Sequence, residues 1–301
     1  MKPSILVIGS SNTDMVVKTA HLPTPGETIL GGEFLMTPGG KGANQAVAAS
    51  RLGGAVTFIC KTGTDIFGNQ SIDLFNKEGI DTTCIFKDSD QPSGVALINV
   101  DDNGENCIAV ASGANAHLTV EDLVLAAPCL EKANIILVQL EIPIETVAYV
   151  TSVAASLGKK VILNPAPVCA LSDDLLQSVS IITPNETEAS MLTGIKVTDE
   201  VTARDAAIYL HEKGIATVII TLGARGALVF HENIFSLVRV PEVKAVDTTA
   251  AGDVFNGALA VALSKNKIMI EAVEFACRAA SISVTRMGAQ ASAPYERELN
   301  D

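Results

Sequence analysis

Short apolar runs recur along the chain, each ending in small or polar residues: Ile5–Ile8, Val56–Cys60, Ile135–Val138, Val161–Leu163, Val218–Ile220 and Ala227–Phe230. Continuous runs of this length, rich in β-branched residues, suit strands buried on both faces of a parallel sheet. Stretches with helical spacing lie between them. Ala43–Leu52 is alanine-rich and stops at Gly53, and Ile144–Leu157 closes at Gly158. Thr119–Leu130 opens on a capping Thr119 with Asp122 three residues on. Thr202–Lys213 closes at Gly214, with Lys213 in the last turn as the helix dipole prefers. The βαβα alternation predicts a layered α/β fold with right-handed crossovers.

Two segments break that rhythm. Residues 13–39 carry no helical pattern and hold Pro23, Pro25, Gly26, Gly31 and Gly32. Val95–Val100 and Asn106–Val110 flank Asp101–Glu105, where Asn103-Gly104 is a hairpin signal. Both segments read as strands projecting from the α/β body, either joined in one small sheet or as two unrelated surface hairpins. No repeat or linker interrupts the chain. At roughly 150 residues per domain, its 301 residues suggest two domains, or one large α/β domain with an appendage.

Composition narrows the function classes. The chain is 48% hydrophobic but only 4% aromatic, with no Trp, so Val, Ile, Leu and Ala must fill the core. It is too apolar for a disordered protein, and no window reaches the roughly 18 apolar residues of a membrane-spanning helix. A net charge of −13 excludes nucleic-acid binding through a general basic field. An anion ligand therefore needs a local trap. Cys60, Cys84, Cys107, Cys129, Cys169 and Cys277 form no C-x-x-C motif, and several lie in apolar runs; they read as small buried thiols. The first apolar run is too short for a signal-peptide core, so it reads as a strand and the protein as cytoplasmic.

Ligands of open α/β sheets bind beyond the carboxyl ends of the strands. There the sequence places Ser10, Ser11, Asn12, Thr13 and Asp14, then Gln139 and Glu141, then Asn164. Thr183, Asn185, Glu186 and Glu188 follow, then Thr221, Gly223, Arg225 and Gly226. Together they suggest a pocket for a polar ligand. The sharpest local signal is Asp247-Thr248-Thr249-Ala250-Ala251-Gly252-Asp253, leading into an apolar helix. Free N–H groups and a partial positive charge let a helix N-terminus hold a phosphate, and small residues let it approach. Asp253 either complements the dipole or takes a proton from an attacking hydroxyl.

In Gly39-Gly40-Lys41-Gly42-Ala43-Asn44-Gln45 the glycines open a helix. Gly42 follows the lysine where a P-loop has Ser or Thr, so this is no Walker A loop. Lys41 is either a solvated surface lysine or a binder of an oxygen-rich ligand. The acids of Asn185-Glu186-Thr187-Glu188 are either N-terminal charge complement or a water-mediated Mg²⁺ site. His21, His117, His211 and His231 have no metal spacing and read as surface or structural residues. Neither a G-x-G-x-x-G fingerprint nor a G-x-S-x-G motif occurs, which disfavours a Rossmann dehydrogenase and a serine triad.

In this order, these motifs resemble those of the PfkB-type (ribokinase-like) carbohydrate kinases over essentially the whole length. The matching segments include Gly9–Asp14, Pro25–Thr28, Gly39–Ala46, Gln139–Glu141, Asn164–Pro167, Thr183–Glu188, Thr221–Gly226 and Val246–Gly257. Ala250 stands where the broader family usually has Gly. The resemblance implies a single three-layer α/β/α domain over 1–301 with a mostly parallel sheet and a small β-sheet lid built from inserted segments 13–39 and 93–110. It implies ATP-dependent phosphorylation of a sugar hydroxyl, with the 5-hydroxyl of D-ribose as the expected acceptor.

Carried over by motif, Asp253 is implied as the catalytic base, and the N–H groups of Ala250, Ala251 and Gly252 as the anion hole. Asn12, Asp14, Gly40, Lys41, Asn44 and Glu141 are implied for the sugar, with Asp253 shared. Asn185, Thr221, Gly223, Arg225, Gly226 and Gly252 are implied for the nucleotide, and Glu188 for Mg²⁺ through water. Asp247, Thr249, Ser283, Arg286, Gly288 and Ser292 align with monovalent-cation loops, partly through backbone carbonyls, so K⁺ activation is implied. A homodimer through the lid is also expected. The alternatives are a sister kinase for deoxyribose, fructose or a nucleoside, and a non-catalytic sugar sensor.

Overall fold

The apolar runs become strands flanked by helices. The computed structural model describes residues 4–30 and 32–299; Gly31 lies outside the described residues. In chain order the strands are β1 (Ser4–Ile8), β2 (Asn12–Lys18), β3 (Glu33–Gly39), β4 (Ala55–Ile59), β5 (Lys61–Gly63), β6 (Phe86–Asp88) and β7 (Gly94–Val100). Then come β8 (Asn106–Ala111), β9 (Ile135–Val138), β10 (Lys160–Leu163), β11 (Ile181–Ile182), β12 (Thr217–Thr221), β13 (Ala227–His231) and β14 (Ile234–Val238). The main sheet has eight strands in the order β14-β13-β12-β11-β10-β9-β1-β4. It is parallel from β4 to β12 and antiparallel at β13 and β14.

Ala227–Phe230, expected with the parallel set, is therefore corrected to an antiparallel strand. Only Leu222–Gly226 separates it from β12, closed by a 2.8 Å bond from Leu222 N to Gly226 O. A parallel neighbour would need a crossover of a dozen or more residues.

The helices are α1 (Lys41–Arg51), α2 (Ile66–Lys77), α3 (Val120–Leu125), α4 (Ala127–Lys132), α5 (Ile144–Ser156) and α6 (Asp173–Gln177). They continue with α7 (Glu186–Thr193), α8 (Glu200–Glu212), α9 (Ala251–Ser264), α10 (Met269–Ser283) and α11 (Ala289–Ser292). They cover both faces of the main sheet. Ile5 and Val7 of β1 pack with α1, α9 and α10, whereas Leu6 and Ile8 pack with α5 and α8. This double burial explains the unbroken apolar runs.

Two helix expectations need correction. Thr119–Leu130 is two helices, because Pro128 lacks an N–H and crowds the carbonyl four residues back. The expected Thr119–Asp122 capping box is present. α8 starts before Thr202, because Asp199 is the cap and Thr202 its capping-box partner. The cysteine expectation holds for Cys60 and Cys277 only. Cys107 and Cys169 are exposed, and Cys84 pairs with Cys129 in a disulfide. Cys107 lies on β8, where every residue is exposed.

The two irregular segments form one four-stranded sheet, in the order β3-β2-β7-β8. Its antiparallel pairs β2–β3 and β7–β8 are joined by a parallel pairing from Asn12↔Gly94 to Lys18↔Val100. β2 starts just beyond β1, and β3 runs directly into α1, so this sheet grows from the carboxyl rim of the main one. β5 and β6 form a separate parallel pair. Among the described residues, no helix is long and apolar enough to cross a membrane.

Candidate active site

The candidate site is built where β1, β9 and β10 end against the N-termini of α1 and α9. Gly40 caps α1 at φ 89, a left-handed conformation that glycine adopts without steric cost. Ala43 N donates to Ser10 O at 2.9 Å, tying the start of α1 to the end of β1. Glu141 accepts from Ser10 Oγ at 2.5 Å and from Lys41 N at 3.1 Å. Gly39 leaves room for the Asp14 carboxylate, which would overlap a Cβ there. Asn12 is held by Asn115, whose Nδ2 donates to Asn12 Oδ1 at 2.7 Å.

Asp253 lies in the first turn of α9 and is buried. Asn44 Nδ2 donates to its Oδ2 at 2.9 Å, and Gln45 Nε2 donates to its Oδ1 at 2.9 Å. Asn44 Oδ1 is buried without a partner, an acceptor left for a hydroxyl. Burial raises the Asp253 carboxyl above its ordinary range, against the pull of Lys41 and the amide donors. Asp14 rises to about 6, through burial and then the charges of Glu141 and Asp253. Glu188 is also raised, chiefly by burial. Burial alone would lower the Lys41 ammonium, but Asp253, Glu141, Glu188 and Asp14 outweigh it and raise it. One cation thus stands among four carboxylates.

A cavity of about 170 Å³ opens beside Asp253. Lys41, Asn185, Glu188 and Thr221 line it, together with Ala250, Ala251 and Gly252. Ala250 caps α9 at φ 59, a left-handed conformation that costs a side-chain-bearing residue about 1–2 kcal/mol. The first i→i−4 bond of α9 runs from Val254 N to Ala250 O at 2.9 Å, so the Gly252 and Asp253 N–H groups precede it. Of the expected anion-hole donors, Ala251 N already donates to Thr248 O at 3.2 Å and must exchange partner to serve.

Other expected residues lie outside this cavity's lining. Asn12, Asp14, Gly40, Asn44 and Glu141 sit at the junction with the small sheet. Arg225 is ion-paired with Glu186. Gly226 is packed where a Cβ would strike Val238 O, and Gly223 borders open space.

The cation-loop residues are brought together in part. Asp247 Oδ1 accepts from Thr249 N at 2.9 Å and its Oδ2 from Gly288 N at 2.8 Å. These bonds hold the Asp247 carboxyl below its ordinary range although burial opposes them. Ser283 and Ser292 bond carbonyls of their own helices, and Arg286 pairs with Glu298.

For a divalent ion, the chemistry offers little protein charge. Glu188 Oε2 accepts from Asn185 N at 2.8 Å, leaving Oε1 outside that capping bond. No group of three or more His, Cys, Asp or Glu side chains among the described residues could hold a metal. One carboxylate beside a polar cavity fits Mg²⁺, which keeps several waters and accompanies nucleotide phosphates.

Motif reading did not assign Gln45 to the Asp253 carboxylate, nor Asn115 to Asn12, nor Thr248 and Asn256 to the cavity. Asn256 follows Asp253 by three positions on α9, a spacing that shares a helix face and was the available signal.

Known proteins of this kind share the whole chain. A relative from Haemophilus influenzae named Ribokinase is 46% identical over 298 residues, covering 99% of this chain and 97% of that one. A Deoxyribokinase from Salmonella typhi is 39% identical over 300 residues, covering 99% and 97%. The structure of Arabidopsis thaliana ribokinase complexed with ribose and ATP superposes with a TM-score of 0.92 at 31% identity, covering 100% and 98%. Residues 2–296 match the family described as pfkB family carbohydrate kinase, and to that family the chain belongs.

Proposed function

We propose that the chain transfers the γ-phosphoryl group of ATP to the 5-hydroxyl of D-ribose, giving ribose 5-phosphate and ADP. The observation that carries this is the Asp253 carboxylate, gripped on each oxygen by an amide and placed beside a helix N-terminus with a small-residue approach. Phosphoryl transfer needs alignment and charge neutralisation more than a covalent partner. Asp253 accepts the hydroxyl proton as the oxygen attacks. The N–H groups of Ala250, Ala251 and Gly252 receive the transferring phosphoryl oxygens. Asn12, Asp14, Gly40, Lys41, Asn44 and Glu141 bind the sugar, and the unpartnered Asn44 Oδ1 suits a hydroxyl donor.

Asn185, Thr221, Gly223, Arg225 and Gly226 serve the nucleotide. A divalent ion such as Mg²⁺ accompanies ATP and offsets phosphate charge; Glu188 would hold it through water. The Asp247–Gly288 tie supports a K⁺ site from the two loops, with Thr249, Ser283, Arg286 and Ser292 contributing partly through carbonyls. The small sheet acts as a lid that excludes water from the transfer, and its exposed face pairs two copies of the chain. Consumption of ATP fits a cytoplasmic location. Deoxyribose is the second reading, favoured by the relative named Deoxyribokinase.

A panel of ribose, deoxyribose, fructose and a nucleoside, assayed for ADP release with K⁺ or Na⁺, tests this. Ribose should turn over fastest, and K⁺ should exceed Na⁺. Faster turnover of deoxyribose reassigns the acceptor, and equal rates in the two salts remove the K⁺ site. Asp253→Asn should cut turnover by about 10²–10⁴-fold while calorimetry still detects ATP binding. A near-normal rate would take the base role from Asp253.

A further inference from the structure

We infer that Gln45 is a positioning residue for the Asp253 carboxylate, its amide held between Gln139 and Asn164. The inference rests on the general-base reading of Asp253. Gln45 is completely buried, and both its amide nitrogen and its amide oxygen are bonded inside the protein. Its Nε2 donates to Asp253 Oδ1 at 2.9 Å and to Asn164 Oδ1 at 3.0 Å. Its Oε1 accepts from Gln139 Nε2 at 2.5 Å. Turning the amide over would set Oε1 against the ionised Asp253 carboxylate, which only accepts. An N–H therefore faces Asp253 Oδ1.

The amides form a chain from the ends of β9 and β10 to α9. Gln139 is itself fully buried, and its Oε1 fills the space that a Cβ on Gly9 would need. Gly9 thus lets the chain of amides pass beneath the end of β1. Asn44 holds Asp253 Oδ2 and keeps its own Oδ1 unpartnered among the described residues, whereas Gln45 is bonded only to Asp253, Asn164 and Gln139. With both oxygens gripped, the carboxylate plane is set before the substrate arrives. Gln45 also favours the ionised carboxylate against burial. The charged groups facing Asp253 are Lys41 at the start of α1, Glu141 after β9, Asp14 on β2 and Glu188 on α7. None of them replaces the donor on Oδ1.

The test is the kcat–pH profile of Gln45→Met and Gln139→Met beside wild type and Asp253→Asn. A base must be ionised to act, so losing a donor to it moves the acid limb towards higher pH. Gln45→Met should raise that limb by about one pH unit, the size of one charge-assisted hydrogen bond. Neutral-pH kcat should fall about tenfold through lost alignment, a larger change than in the sugar KM. Gln139→Met, one step further away, should shift the limb the same way by less. A folded Gln45→Met with an unmoved limb overturns the inference, as does failure of both variants to fold, which would make the amides simple core scaffold. If Asp253→Asn stays active, the general-base reading fails by itself. If Asp253→Asn is inactive and the limb stays put, only the positioning role of Gln45 fails.

Discussion

Asp14, proposed above for the sugar, sits where its own charge is disfavoured. Burial and the charges of Glu141 and Asp253 lift its carboxyl from 3.8 to about 6, with Lys41 only partly compensating. The folded chain therefore holds the proton more tightly than the unfolded chain. Stability is lost as pH rises through the window from 3.8 to about 6, and it stays lost at neutral pH. Asp14→Asn removes this charge. It should raise unfolding stability at pH 7 by about 1–3 kcal/mol, and by almost nothing at pH 4, while raising the KM for ribose. Urea unfolding at the two pH values checks this; an equal gain at both would assign the effect to packing. Asp14, Lys41 and Asp253 were legible in the sequence because they follow a strand end, stand in a glycine-rich turn or start a helix. Gln45 and Asn115 were not, because the side chains they bond are distant in sequence. Only placement reveals which carboxylate or amide each meets.

At the scale of elements, the site depends on how closely α1 approaches α9. α1 carries Lys41, Asn44 and Gln45, and α9 carries Asp253. A Cβ on Gly257 would lie 2.8 Å from Gln45 O and 2.9 Å from both Ala48 Cβ and Ala49 N. The alanines of α1 and the missing side chain at Gly257 thus set the helix separation. Gly257→Ala should destabilise the fold by about 1–3 kcal/mol, the usual cost of overpacking. It should also lower kcat, because α1 would move away from Asp253. Thermal and urea unfolding with steady-state kinetics measure both effects, and full stability with full activity would contradict the close-packing account. Strands β1, β4, β9 and β10 and helices α1 and α5 were readable from apolar spacing. The turn from β13 to β14 was hidden, since its left-handed residues are Glu232 and Asn233 at φ 50 and 61 rather than an Asn-Gly pair. The split of α3 from α4 could have been read from Pro128 alone.

The whole molecule combines a net charge of −13 with an anionic co-substrate, ATP, and Lys41 stands among carboxylates. On the proposed reading, helix N–H groups and the accompanying metal, rather than a basic surface, hold the transferring phosphate at the start of α9. The small sheet raises a different question at this scale, because it leaves large apolar side chains in water. Met15 pairs with Met36 and Leu97 across the strands, while Asp14 pairs with Thr37 and Ala96. Paired residues share a face, so Met36 and Leu97 lie on the face opposite the Asp14 carboxylate. Phe34, Met36 and Leu97 are 65%, 45% and 53% exposed. A contiguous apolar face of this kind marks an interaction surface, and a second copy of the same face would bury it symmetrically. Leu97→Glu places like charges at that symmetric contact and should convert a dimer to monomers in sedimentation equilibrium. Because Leu97 lies on the face opposite Asp14, its substitution should leave the KM for ribose close to wild type. A wild-type chain that sediments as a monomer at micromolar concentration would remove the dimer, and an unchanged dimer in Leu97→Glu would move the contact to another face.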